Sequence, residues 1–506
     1  MLCSTKSVCY AVASIAWLCC SGVVGLGIAS PVDSVADRSQ SKRNIIFVLS
    51  DDHRYDFMSC VDGCPKFLKT PNMDRMASGG ALIQNAFVST SLCSPSRASI
   101  LTGQYMHHHQ VVDNQRPVAD GTIFFPQQLQ RIGYETAFVG KWHMGHEDDK
   151  PRRGFDHWAS FRGQGSYFNP TLNINGQRKT IEGYTTDVLT DQALQWLEER
   201  DKKKSFCLYL SFKATHYPFQ PAPRNRGKFA DEKIEYPETM ANTERNYQTQ
   251  PHWVRERRFS IHGVDHMETG AFDKDPVPDF DALYHQYAEC VLGIDQNLGR
   301  VLDWLKKEEL DSSTIVVYMG DNGFELGEHG FYDKRDAFEH SIRVPMLAYA
   351  PGLIQPGTKI KKLIQNIDIA PTLLDMAGAN QQQQDEMEMD GRSFLPLLRA
   401  EAIDWRKHIL YEYHWEWNFP ATPTTFAIRT DRYKYIYYHG VWDHNGFYDL
   451  ETDPLERHNL INVPAFEQQI NKMKQQLFTE LDASGGLAIP ARPPKGERLD
   501  QRKLKR

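Results

Sequence analysis

Four short apolar runs in this sequence each end in side chains that can hold charge, bind a cation or move a proton. The run 44–50 is followed by Asp51, Asp52 and His53. The run 136–139 is followed, after Gly140, by Lys141, Trp142 and His143. The run 205–212 leads to Lys213 and His216, and the run 314–319 to Asp321 and Asn322. Three carboxylates and an amide carbonyl are hard oxygen donors of the kind that suit Ca²⁺ or Mg²⁺. Clustered without a cation they would repel one another, and some would take up protons. Singly, each Asp or Asn would serve as well as a helix cap at a strand-to-helix turn; as a set of four they point to a metal. Arg97, Lys141 and Lys334, with His143 and His216, form a cationic set suited to a tetrahedral oxyanion. Arginine offers a planar fork of donors and lysine a point charge. Such a pocket fits phosphoryl or sulfuryl transfer, where catalysis is mainly positioning and charge stabilisation.

These residues need a scaffold that brings strand ends together. Continuous apolar runs suit strands buried on both faces of a parallel sheet. Between them lie helical patterns over 126–132 (stopped by Gly133) and 187–199. A further one places Val291, Ile294, Leu298, Val301 and Leu305 on one face. Alternating strands and helices predict an α/β fold with a large, mostly parallel sheet flanked by helices. In such sheets ligands bind beyond the C-terminal strand ends. Residues 218–280 read as a long polar excursion, and the glutamine run 381–384 as an exposed loop. After Asp390 the pattern becomes alternating and aromatic, predicting a smaller antiparallel subdomain. Within it Trp405, Tyr411, Tyr413, Trp415 and Trp417 suit either an aromatic core or a sugar-stacking surface.

The stretch Cys93-Ser-Pro-Ser-Arg97-Ala-Ser-Ile-Leu101-Thr-Gly103 narrows the chemistry, because it resembles the signature of the type I sulfatases. The resemblance continues in Gly140-Lys-Trp-His-Met-Gly145, Asp321-Asn-Gly323, Gly327-Glu-His-Gly330 with Lys334 behind it, and Ile342-Arg-Val-Pro345. It covers most of residues 44–460. It implies an alkaline phosphatase-like fold and a sulfuric ester hydrolase in which Cys93 is oxidised to formylglycine by a formylglycine-generating or sulfatase-maturing enzyme. By the same resemblance Asp51, Asp52, Asp321 and Asn322 hold a metal, usually Ca²⁺, with oxidised Cys93 completing the site. Arg97 and Lys141 hold the formylglycine, and His143 helps release sulfate. His216 and Lys334 bind sulfate near the leaving oxygen, one of them as general acid. Residues 101–115 and 167–176 are similar to N-acetylglucosamine-6-sulfatases. That similarity implies a sulfated sugar as substrate, with glucosamine 6-sulfate in a glycosaminoglycan the leading candidate. The loops 107–115 and 167–175 and the excursion 218–280 are then expected to read the sugar. Two alternatives remain: a phosphate or phosphonate ester hydrolase on the same scaffold, and a carbohydrate-binding protein with a dead site.

Composition sets outer limits. The chain has 506 residues, 41% hydrophobic and 24% charged, and a net charge of −7, which does not suit a general nucleic-acid binder. Lys6, the apolar run 8–28 and the small residues after it read as an export signal over 1–30, the alternative being a membrane anchor. We expect removal of the signal, no stable membrane span and an exported protein. A catalytic domain is expected over 44–380, a C-terminal subdomain over 390–490 and a basic tail over 491–506. Cys60 and Cys64 are close enough in sequence to bridge a tight loop, while Cys207 and Cys290 read as buried apolar residues. The tract His107–His109 is not expected to bind metal, since three consecutive side chains cannot face one ion on regular structure.

Overall fold

The computed structural model describes residues 42–265 and 279–490, so the expected signal 1–30 and basic tail 491–506 lie outside the described residues. Four strands at the centre of a ten-stranded sheet carry the residues singled out above: β1 (Asn44–Ser50), β2 (Glu135–Lys141), β3 (Phe206–Ser211) and β4 (Thr314–Gly320). They lie side by side in the order β4-β1-β3-β2, all parallel. The register pairs Ser50 with Gly320, Leu49 with Ser211, and Ser211 with Gly140, so all four end at one edge. Beyond β2 come His157–Phe161, parallel, then the antiparallel Thr171–Ile174 and Gln177–Thr180. Beyond β4 come Met346–Tyr349, antiparallel, then Ala81–Ile83 and Thr358–Ile360.

Alternation along β1 divides the core. Ile45, Phe47 and Leu49 enter one apolar layer with Ala98 and Leu101 of α1 (Cys93–Thr102). Ile46 and Val48 enter the other, with Leu189 of α2 (Thr185–Glu199) and Val291 and Leu298 of α3 (Phe280–Lys307). That is the two-sided burial the continuous apolar runs predicted. The α3 helix starts on the Asp279 side chain, which accepts from Ala282 N at 2.7 Å, and its last turn carries Lys306 and Lys307. Both ends thus suit the helix dipole.

The second sheet is small and antiparallel throughout: His408–Tyr413, Thr424–Thr430, Tyr433–His439 and Gly446–Asp449. Met473, Leu477 and Leu481, at four-residue spacing on the helix Glu467–Ser484, pack against its Leu410, Phe426, Ile428 and Tyr435. The fold class is therefore as expected, with three local differences. Gln381–Asp385 is a short helix rather than a loop, because Asn380 and Gln383 cap it reciprocally, with Gln383 N on Asn380 Oδ1 at 3.0 Å and Asn380 N on Gln383 Oε1 at 3.1 Å. Cys60 and Cys64 are both free thiols, so the tight-loop bridge is not formed. Of the five aromatics listed above, Trp405, Tyr411 and Tyr413 are core, while Trp415 and Trp417 are exposed. No described helix is long and apolar enough to cross a membrane.

Candidate active site

Helix α1 is buried along its whole length, which explains its composition. Its hydroxyls are used internally. Ser94 Oγ donates to His143 O at 2.8 Å, Ser96 Oγ donates to Asp321 O, and Thr102 Oγ1 donates to Ala98 O at 2.8 Å. Pro95 falls in the first turn, where a missing N–H costs nothing. Gly103 ends the helix at φ 73°, its N–H on Ser99 O. Cys93 is the first helical residue, and Arg97, one turn on, shares its face.

From that face Arg97 reaches the strand ends. Its Nε donates to Asp321 Oδ2 at 2.9 Å, its Nη1 to Lys141 O at 2.8 Å and to Ser211 Oγ at 2.6 Å, and its Nη2 lies 3.5 Å from Asp51 Oδ1. Lys141 Nζ donates to Asp51 Oδ2 and to Gln164 Oε1. Lys334 Nζ donates to both oxygens of Asp52 at 2.6 Å, and Asn322 Nδ2 to Asp52 Oδ1 at 2.7 Å. Cys93 Sγ sits 3.9 Å from the same Asp52 oxygen. Asp52 itself takes φ 54°, and its N–H donates to Asp321 Oδ1 at 3.0 Å. Lys141 owes its position to Gly140, at φ 123°, where a Cβ would lie 1.7 Å from Ser211 O.

The electrostatics follow from burying these charges together. Burial alone would raise the Asp51 carboxyl, but Lys141, His216 and Arg97 pull it well below its ordinary range. Burial raises Asp52 despite Lys334, and burial with Asp51 pushes Asp321 up to about 7. Two of the three carboxylates thus stay above their ordinary range even with Arg97, Lys141 and Lys334 beside them, because burial outweighs those cations. Burial, then Lys141, holds His143 well below the ordinary histidine range, and burial with Lys141 and Lys334 does the same to His216. Burial would lower Lys334, but Asp52 reverses this and raises it. Burial and then Asp51 raise the Cys93 thiol well above its usual value.

The donor set fits a hard cation. One oxygen each of Asp51, Asp52 and Asp321 lie within 4.8 Å of one another, and Asp51 Oδ1 and Asn322 Oδ1 are buried with no hydrogen-bond donor. Above them opens a cavity of about 250 Å³, lined by Asp52, His143, His216 and Lys334 among others. All ten residues proposed from sequence therefore meet at one place, seven of them (Asp51, Asp52, Lys141, His143, His216, Asp321 and Asn322) at or just past the ends of parallel strands.

The sugar-reading loops fare differently. Asn114 lines the cavity, and its Oδ1 also accepts from Ser94 N at 3.0 Å, holding the first turn of α1. Asp113 accepts from Gln115 N at 2.9 Å and Arg116 Nε at 3.1 Å, the bonds of a turn rather than of a binding surface. The three histidines diverge. His107 binds Glu412, His108 binds Asp390, and His109 Nε2 meets Ser99 Oγ at 3.0 Å. The stretch 167–175 contributes no cavity-lining residue; Tyr167 supports the site from behind through its OH on His216 O at 2.7 Å. Of the excursion 218–280, residues 266–278 lie outside the described residues, and among the rest His262 lines the cavity. Sequence reasoning passed over Gln164, Asp333, Arg335 and Phe419, which also line the cavity. Asp333 and Arg335 had a legible signal, since they flank Lys334.

Comparison with known proteins agrees with this geometry. A family model described as Sulfatase matches residues 43–379, and one described as N-sulphoglucosamine sulphohydrolase, C-terminal, matches 327–483. The N-acetylglucosamine-6-O-sulfatase of Bacteroides thetaiotaomicron is 34% identical, covering 87% of this chain and 86% of that protein. The N-acetylglucosamine-6-sulfatase of Homo sapiens is 30% identical, covering 75% and 69%. A solved structure in complex with its substrate D-glucosamine-2-N,6-O-disulfate superposes with a TM-score of 0.78 at 30% identity, covering 88% of this chain and 99% of that one. With the family model spanning the whole strand-end site and relatives alike over most of their length, the chain belongs to the sulfatase family.

Proposed function

We propose that this sulfatase hydrolyses the 6-sulfate ester of glucosamine units in glycosaminoglycan-type sugars, with Cys93 oxidised to formylglycine and Ca²⁺ held by Asp51, Asp52, Asp321 and Asn322. The observation that carries the reading is the placement of Cys93. It starts a buried helix at the point where the carboxylates, two lysines and two neutral histidines converge beside one cavity. The relatives' names supply the sugar. When present, the cation polarises oxygen and offsets the three carboxylates, and formylglycine supplies, as its hydrate, one hydroxyl to attack sulfur and a second whose deprotonation expels sulfate.

The chain's own residues then divide the work. Lys141 and Lys334 set positive charge against the sulfate oxygens, and Arg97 fixes Asp321 and Asp51 in place. His143 is neutral in the free enzyme and its Nε2 is buried without a partner, so it can take a proton once the sulfate's negative charge offsets the burial and Lys141 that hold its pKa down. Lys334 keeps its proton across the neutral range and is the standing donor to the leaving oxygen. His216, neutral in the free enzyme, becomes a donor only when the sulfate's negative charge raises its pKa. The apolar leader-like start supports an exported enzyme.

The test is direct. Protein from the native host should release sulfate from glucosamine 6-sulfate, lose that activity on exhaustive chelation, and carry an aldehyde at position 93 by peptide mass spectrometry. Cys93→Ala should lose turnover by more than about 10³-fold, because the nucleophile itself is gone, while its circular dichroism stays that of the wild type. Wild-type turnover in Cys93→Ala would sink the mechanism. Preference for an aryl phosphate over every sulfate ester would move the chain to the phosphate ester alternative.

A further inference from the structure

The chain that follows Asp321 and Asn322 folds back on a later segment. Gly323 N donates to Ser341 O at 2.9 Å and Phe324 N to His340 O at 2.8 Å. This brings Glu325, on the short strand Glu325–Leu326, beside His340, in the short helix Glu339–Ile342, and beside Glu328. One donor atom from each of these three side chains lies within 4.8 Å of the other two. His340 stands between the two acids, with Nδ1 4.0 Å from Glu325 Oε2 and Nε2 3.8 Å from Glu328 Oε1. Its ring is stacked on Tyr55, with centroids 6.0 Å apart.

Glu325 is fully buried, and neither of its oxygens has a hydrogen-bond partner. Arg54 does not reach it. That guanidinium spends Nε and Nη2 on Asp56 at 2.8 and 2.7 Å and Nη1 on Glu328 Oε1 at 2.8 Å, while Glu328 Oε2 accepts from Leu326 N at 2.7 Å. Burial, Asp336 and Glu328 raise the Glu325 carboxyl well above its ordinary range, so it needs a proton or a cation. Burial holds His340 below the ordinary histidine range, in the neutral form that ligates metals. Two donors bound at about 2.0–2.1 Å to one ion are roughly 3 to 4 Å apart, and these contacts sit at the upper end of that spacing. An imidazole with two carboxylates suits Zn²⁺ better than Ca²⁺, which takes oxygen ligands. Glu328 and His340 line a cavity of about 680 Å³, which gives an ion an entry path and room for a water ligand. We propose that Glu325, Glu328 and His340 form a second cation site, for Zn²⁺, that shares no residue with the strand-end site. Lys334 lies between Glu325 and His340 in the chain, so an ion there ties together both ends of the segment that carries it.

The test is metal content after dialysis of the full chain in excess Ca²⁺ with micromolar Zn²⁺. Wild type should keep about one zinc per chain. Glu325→Gln and His340→Gln should each bind zinc at least about tenfold more weakly, with circular dichroism unchanged. Asp321→Ala, which alters the strand-end site, should keep its zinc. Added Zn²⁺ should raise the urea midpoint of wild type and leave that of Glu325→Gln where it was. A wild type that keeps no zinc would overturn the proposal and mean that a proton satisfies Glu325. Zinc that is retained equally by Glu325→Gln, or lost with Asp321→Ala, would overturn it as well, because the ion would then sit elsewhere.

Discussion

His109 sits at the back of α1, and burial pushes its pKa down to about 4. Its Nδ1 accepts from Val111 N at 3.1 Å and its Nε2 faces Ser99 Oγ, so the neutral ring is the form the fold uses. A histidine whose folded pKa lies below its unfolded value of 6.5 contributes stability that is present above 6.5 and lost as pH falls toward 4. His109→Gln should therefore be less stable than wild type at pH 7, with the gap narrowing by up to about 1.4 kcal/mol per pH unit on the way to pH 5. Urea unfolding of both proteins at several pH values measures it, and a constant gap would mean that the ring takes up its proton as readily in the folded as in the unfolded chain. At this scale the sequence was informative where residue type and strand end coincide, as for Asp51, Lys141 and Asp321. It was silent where the role depends on a neighbour brought in from afar. Nothing local distinguishes Asp113, which closes a turn, from Asn114, which touches both the cavity and α1. Asp113→Ala should accordingly leave the ratio of sugar to aryl sulfate activity unchanged, measured as paired kcat/KM values.

Among the elements, β2 depends most on one residue. Gly140 lies between Ser211 on β3 and Ser160 on the far side. A methyl group there meets backbone, which cannot step aside as a flexible side chain would. Gly140→Ala should lower stability by about 2–4 kcal/mol and displace Lys141 from Asp51, so that activity falls even in the fraction that folds. The measurement is the urea midpoint together with kcat/KM on one sulfate ester. An unaltered midpoint would show that the strands separate at low cost. Strands such as β1 and β4 were legible because unbroken apolar runs leave few other readings. The helix Gln381–Asp385 was not recognised, although its capping pair Asn380 and Gln383 was present in the sequence. Composition outweighed spacing in that reading.

Across the whole molecule, the small sheet is tied by a buried cation to the segment 337–339, which runs ahead of the large sheet's strand Met346–Tyr349. Lys434 Nζ lies 2.7 Å from Ala337 O, 2.9 Å from Glu339 Oε1 and 2.7 Å from Glu456 Oε1. Lys434→Met would leave Glu456 buried beside Glu339 without a cation of its own, since Arg429 Nη2 still holds Glu339 at 3.1 Å, and should cost about 3–5 kcal/mol. Thermal unfolding gives the number, and a change below about 1 kcal/mol would show that the acids simply take up protons and the sheet holds by its apolar contacts. No sequence pattern announces such a contact, because its three side chains come from three separate segments.

The parallel pairing of β1 with β4 joins Asn44 to Thr314 and Ser50 to Gly320. In a chain made from its N-terminus, this gives the site a schedule. Cys93 emerges long before the strand that brings Asp321, and at about 5–20 residues per second the interval is roughly ten to fifty seconds. During that interval the thiol belongs to an unfinished chain. Once β4 takes its place, Cys93 is fully buried. The oxidation proposed for it is then a race against folding, and conditions that hasten the closure of the sheet should yield more protein that is correctly folded, binds metal and is inert.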